Sequence, residues 1–213
     1  GTVILGTLVN PLCATLAFSN IILYTLVYTP MKRVHPLNTA VGAIVGAIPP
    51  LIGWAAQTGG LEAGAWVSFL VMALWQMPHF HALSWPLRFD YGSAGYRMLA
   101  NVSPDKVPIH VLLYTVAALG LGPFASFTGL ASWHFALLGS LPTLPWIYYA
   151  YRFYKLRTNP TARDAFKWSL YWLPLFFALL CFSLSPDRDV DTIEEDVIAI
   201  HQSHQLQQPQ QEQ

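Results

Sequence analysis

Residues 38–56 read Asn-Thr-Ala-Val-Gly-Ala-Ile-Val-Gly-Ala-Ile-Pro-Pro-Leu-Ile-Gly-Trp-Ala-Ala, nineteen positions without one charged side chain. As a helix, a run of about 20 apolar residues crosses the hydrocarbon core of a bilayer. On either side of it, comparable runs fall at about 12–29, 63–85, 107–127, 132–151 and 166–185. Residues 1–10 look like the end of a preceding span closed by Asn10-Pro11. The runs are continuous, whereas barrel strands alternate over about ten residues. Composition agrees, with 54% apolar and 10% charged residues against roughly a quarter charged in a soluble domain. The expected fold is an all-α polytopic transmembrane helix bundle of six complete spans plus part of one before them. Its domain covers residues 1–185, and residues 186–213 form a polar, glutamine-rich tail expected to be disordered.

The positive charges test this layout. If six spans alternate, the connections at 30–37, 86–106 and 152–165 share one side. Lys32, Arg33, Arg88, Arg97, Lys106, Arg152, Lys155, Arg157, Arg163 and Lys167 all fall on that side or at its boundary. Basic residues mark the side from which the chain is inserted. Arg188 alone lies elsewhere, in an acidic run. Tyr148, Tyr149, Tyr151, Phe153 and Tyr154 gather at the same basic edge, as an aromatic belt does. A formal net charge of zero argues against a nucleic-acid partner. Cys13 and Cys181 lie inside apolar runs and imply no disulfide framework. The chain opens at Gly1, within an apolar stretch and without an initiator Met, so a missing N-terminal portion is expected.

Chemistry concentrates at the basic edge. Tyr28 and Lys32 stand four apart at a helix end, on one face if the turn stays helical through Pro30. The pair suits a phosphate, but on spacing alone the favoured reading is that Lys32 and Arg33 mark the inner face and Tyr28 anchors the interface. Trp75-Gln76-Met77-Pro78-His79-Phe80-His81 sets an amide and two imidazoles in an apolar helix, where polar groups face the bundle interior or a wet cavity. Trp75 and His79 share a face, whereas His79 and His81 do not, which makes the histidines a poor metal pair. For His79 function and structural satisfaction weigh equally, and for His81 structure is favoured. Asp90, between Arg88 and Arg97, is either a solvated ion pair or a carboxylate on a divalent cation bridged to a diphosphate. Gly42 and Gly46 form a small-xxx-small pair that lets helices approach closely. His110 and His134, near span starts, read as structural or interfacial.

These signals line up in one order: Tyr-Thr-Pro-x-Lys-Arg at 28–33, Gly-Ala-Ile-Pro-Pro-Leu-Ile-Gly-Trp at 46–54, Trp-Gln-x-Pro-His-Phe-x-Ala-Leu-Ser-Trp at 75–85, then Arg-x-Asp-Tyr at 88–91. That order resembles the heme O synthases, or protoheme IX farnesyltransferases, within the UbiA-type intramembrane prenyltransferases. The resemblance runs from about residue 1 to 185, and Ala82-Leu83-Ser84-Trp85 with Gly95-Tyr96-Arg97-Met98 looks like the mitochondrial branch. It implies nine helices around a cavity open on the basic side, and farnesyl transfer from farnesyl diphosphate to a vinyl group of heme B, giving heme O. Mg2+ would hold the diphosphate between two acidic motifs.

Carried over by position, Tyr28, Lys32 and Asp90 would be catalytic, with Asp90 on Mg2+ through the diphosphate. Arg88, Tyr91 and Arg97 would bind substrate, while Gln76 and His79 would line the cavity, His79 being a candidate ligand of the heme iron. In related prenyltransferases a second Asp follows four residues after the first, where this chain has Ala94. The family's first acidic motif lies ahead of Gly1, so these residues alone are expected to be inactive. The resemblance further implies the mitochondrial inner membrane with basic loops in the matrix, or the plasma membrane of a bacterium. Heme A synthase is the implied partner, besides heme B, farnesyl diphosphate and the lipid bilayer. Rival readings are a quinone or lipid prenyltransferase, a transporter fragment and an inactive membrane assembly protein. Charge scattered through the spans would mark a transporter, and these spans are nearly free of it.

Overall fold

A computed structural model of the protein describes residues 1–184, in which no strand is present and helices account for nearly all regular structure. The tail expected at 186–213 lies outside the described residues. The helices, in order, are α1 (Thr2–Leu8), α2 (Pro11–Ile22), a π-helical turn (Leu23–Tyr28) leading directly into α3 (Thr29–Val34), α4 (Asn38–Thr58) and α5 (Ala63–Ser84). Two short helices, α6 (Arg88–Ser93) and α7 (Leu99–Val102), build the long polar connection. Then come α8 (Val107–Ala117) and α9 (Leu121–Phe127), joined by a 3₁₀ turn, followed by α10 (Phe135–Leu138), α11 (Thr143–Leu156) and α12 (Asn159–Phe182).

Among the described residues, four helical segments are long and apolar enough to cross a membrane: Pro11–Val34, Asn38–Thr58, Pro104–Phe127 and Asn159–Phe182. At 22 residues α5 has the same reach, but Gln76, His79 and His81 dilute its apolar character. The span expected at 132–151 is not one helix. Gly139, Pro142 and Pro145 punctuate it, and only α10 and α11 are helical there. Likewise the loop expected at 152–165 shrinks to Arg157 and Thr158. Arg157 closes α11 in the left-handed region at φ 51°. Thr158 then starts α12 with a reciprocal cap to Thr161, and Pro160 sits in the first turn, where a missing N–H costs nothing. The charged residues of this stretch therefore ride on helix ends.

Two apolar cores hold the bundle. One joins α5, α9, α10, α11 and α12 around Val67, Val71, Phe135, Trp146, Trp172 and Phe176, all at 0% exposure. Buried indoles need a polar partner, and Trp172 donates to Thr143 Oγ1 at 2.9 Å while Trp146 donates to the Ala165 carbonyl at 3.2 Å. The second core, around Ala82, Trp85, Val107, Phe153 and Ala165, underlies the basic edge. Outside these cores large apolar side chains stand exposed, among them Phe127, Phe182 and Leu26, as a fold solvated by lipid tails requires.

At the other end, Gly59 closes α4 at φ 78° and Trp54 folds over the turn. Its indole donates to Glu62, which also accepts from Thr58 Oγ1 at 2.9 Å. The backbone N–H of Glu62 and the Trp54 indole hold this carboxyl below its usual range, so the contribution of the link to stability is complete above the free carboxylate value and is lost as the pH falls through the lowered one. Gly64 makes room for the Trp54 ring, since a Cβ there would meet Cη2 at 2.0 Å. Gly64→Ala is expected to cost about 1–3 kcal/mol through overpacking. Thermal unfolding in detergent would read it, and an unchanged Tm would mean that the ring swings aside freely.

Candidate functional site

The basic edge is built from the α2–α3 helix end, the N-terminal half of α4, the C-terminal half of α5 and the α6–α7 connection. Pro30 has no N–H and would crowd the carbonyl four residues back in a regular helix. The chain meets this with the π-helical turn Leu23–Tyr28, and Thr29 Oγ1 donates to the Tyr24 carbonyl at 2.8 Å. Past the turn Tyr28 and Lys32 do share a face. The Lys32 ammonium lies 4.3 Å from the centre of the Tyr28 ring and 5.7 Å from that of Tyr24. Two aromatic faces thus hold the cation in place.

The next polar stretch docks on this turn. The Arg97 N–H donates to the Lys32 carbonyl at 2.7 Å. Asn38, fully buried in the first turn of α4, donates through Nδ2 to the carbonyls of His35 and Arg97, each at 2.8 Å. Its Oδ1 accepts from Thr39 Oγ1 at 3.4 Å, so the whole amide is used. Gly95, at φ 76°, lets the chain turn back after α6.

Asp90 is exposed in the first turn of α6, and its side chain makes no ion pair among the described residues. The solvated ion pair with Arg88 or Arg97 is therefore not formed. Arg88 instead donates to the Trp85 carbonyl at 2.6 Å and to Asn159 Oδ1 at 3.2 Å, with its guanidinium over Trp85 and Phe89. Arg97 is exposed. Tyr91 is half-buried beside Tyr96, and burial raises its phenol above the ordinary value, which keeps it a hydrogen donor at neutral pH.

Gln76 and His79 look in different directions. The Gln76 amide reaches α4, donating to the Ala43 carbonyl at 3.3 Å as well as to Met72 at 3.0 Å. His79 stacks on Trp75 with centroids 4.5 Å apart and meets Phe166 and Ser169 of α12. Ser169 has one hydroxyl proton, and it is spent on the Phe166 carbonyl. His79 Nδ1 lies 2.8 Å from Ser169 Oγ, and this network assigns the ring proton to Nδ1, with Nε2 as the acceptor or ligand. His81 is buried on another side, near His110 and Tyr114. Sequence reasoning missed Asn38, which passes for an ordinary helix start, and Ser169, a lone hydroxyl in an apolar run.

A one-carboxylate site cannot hold a metal by itself, and the described residues contain no cluster of three or more His, Cys, Asp or Glu side chains able to do so. An exposed Asp90 carboxylate with no ion pair among the described residues fits Mg2+ that brings its own phosphate oxygens.

A profile of the UbiA prenyltransferase family matches residues 1–180. The chain is 40% identical over 198 residues to the mitochondrial protoheme IX farnesyltransferase of Arabidopsis thaliana, covering 92% of this chain and 46% of that protein. It is 42% identical over 192 residues to that of Homo sapiens, covering 90% of this chain and 43% of that protein. The Neurospora crassa protein of the same name is 38% identical over 198 residues, covering 84% and 39%. This chain thus spans less than half the length of these curated relatives. No solved structure matches it. With its family's profile matched along almost the whole described length, the chain belongs to the UbiA prenyltransferase family.

Proposed function

We propose that this chain supplies part of a protoheme IX farnesyltransferase, transferring farnesyl from farnesyl diphosphate to a vinyl group of heme B. The observation that carries this is the docking of the Asp90 segment on the Lys32 turn through the Arg97 N–H. It brings a carboxylate-bearing loop, an ammonium and a phenol to one edge of an apolar bundle. A diphosphate needs that set, and an allylic cation needs dry, aromatic surroundings.

In this reading Lys32 and Tyr28 take the diphosphate oxygens, Arg97 adds charge at the rim, and Tyr91 donates a hydrogen bond. Asp90 would hold Mg2+, whose charge would help the diphosphate to leave. The allylic C–O bond breaks with its electron pair going to diphosphate, and the farnesyl carbon bonds to the vinyl terminus. Water then adds to the vinyl carbon next to the porphyrin and loses a proton, completing a hydroxyethylfarnesyl group. Gln76 would line the cavity, and His79 Nε2 would face the heme. The setting in this proposal is the mitochondrial inner membrane with the basic loops in the matrix, and a heme A synthase would take the product onward.

The test is extraction of hemes from cells lacking heme O synthase that express the full-length gene product. Heme O or heme A should appear. Membrane-inserted protein without farnesylated heme would overturn the reading and turn attention to a quinone or lipid acceptor. His79→Ala should shift the Soret band of purified protein loaded with heme if Nε2 meets the iron. An unchanged band would leave His79 as a packing residue of the α5–α12 contact.

A further inference from the structure

Asn38, Gly42 and Gly46 recur every four residues and so fall on one face of α4. Each meets a different part of the candidate site. Asn38 ties the Arg97 carbonyl to the Lys32–His35 turn with both amide hydrogens and no exposure to solvent. At Gly42 an added Cβ would lie 2.7 Å from Tyr28 Cε2. At Gly46 it would lie 2.0 Å from Gln76 Oε1, one turn of helix further into the bundle. The glycines therefore do more than let two helices approach. The space where their side chains would be is filled by the ring of Tyr28 and the amide of Gln76.

We propose that this face of α4 is the template of the site, with Asn38, Gly42 and Gly46 acting as positioning residues. Asn38 clamps the loop that carries Asp90 against the turn that carries Lys32. Gly42 sets the depth of Tyr28, and Gly46 sets that of Gln76. The assignment of roles to these partners rests on the farnesyltransferase reading, whereas the contacts themselves do not.

The clamp is specific in chemistry as well as shape. Asn38→Ala removes both donors, so the Arg97 carbonyl loses its tie to α4, while the His35 carbonyl keeps only the backbone N–H of residue 38. Asn38→Asp keeps the volume but sets carboxylate oxygens against those carbonyls, so it should be the worse of the two. A residue that merely filled space would show the reverse order.

The experiment uses the purified full-length gene product in detergent. Tryptic cleavage after Arg97, read by fragments beginning at Met98, should accelerate about tenfold in Asn38→Ala and further in Asn38→Asp. In steady-state heme O formation Asn38→Ala should raise KM for farnesyl diphosphate about tenfold while leaving KM for heme B in place. Gly46→Ala should lower Tm by several degrees in the parent but by no more than about one degree in a Gln76→Ala background, because the amide it displaces is gone. Cleavage at the parental rate, or equal shifts of both KM values, would overturn the clamp. Additive Tm losses at Gly46 and Gln76 would overturn the seat. Should the parent form no heme O, the farnesyltransferase reading falls, and the proteolysis and melting comparisons still decide the positioning by themselves.

Discussion

Asp90→Asn in the full-length protein should cut prenyl transfer by roughly 100-fold or more while insertion and thermal stability stay as they are. The carboxylate is exposed, makes no ion pair among the described residues, and only its backbone carbonyl is engaged, by Ser93 Oγ and the Ala94 N–H. Removing its charge therefore breaks nothing in the fold. What is lost is the unpaired carboxylate of the 86–106 connection, since Asp105 pairs with Arg157 at 3.6 Å, and losing electrostatic stabilisation of a developing charge typically costs about 10²–10³ in turnover. Radiolabelled farnesyl diphosphate and heme B would give the rate. Turnover within about threefold of the parent would remove Asp90 from the metal site.

Lys32→Ala should raise KM for farnesyl diphosphate roughly 10- to 100-fold, the value of one charge-assisted hydrogen bond of about 1.5–3 kcal/mol. KM for heme B should move little. Lys32 sits over the rings of Tyr28 and Tyr24, so its removal also frees those rings. Lys32→Arg keeps that stacking and the charge, and separates the two effects, since Arg also stacks on aromatic faces but presents a wider, planar group. Equal losses for both substrates would instead mark Lys32 as a residue of the fold.

Much of the helical plan is legible in the sequence, because a bilayer imposes a length as well as a composition. The runs expected at 38–56 and 63–85 fold as Asn38–Thr58 and Ala63–Ser84. Legibility fails where backbone breakers sit among apolar residues. The run 132–151 has the hydropathy of a span, but Gly139, Pro142 and Pro145 cannot sustain one helix. It fails again at 152–165, where charge imitates a loop although Thr158 and Pro160 spell a helix start. Within the candidate site, the Tyr28–Lys32 pair is legible because its partners are one turn apart. Asn38 meets Arg97 across 59 residues and His79 meets Ser169 across 90, and no local pattern reports such pairings.

The π-helical turn at Leu23–Tyr28 acts on the helix as a phase shift. A regular helix carries one angular register from end to end, so the residues that suit the lipid would dictate which way the last turn points. One wide turn resets that angle. Upstream, Phe18 and Ile21 stay exposed, as lipid demands. At its end Tyr28 is turned onto α4, and one turn further on Lys32 is turned onto Tyr28. The two halves of one rod are thereby free to answer to different solvents, the outer half to the bilayer and the inner half to the chemistry at the edge.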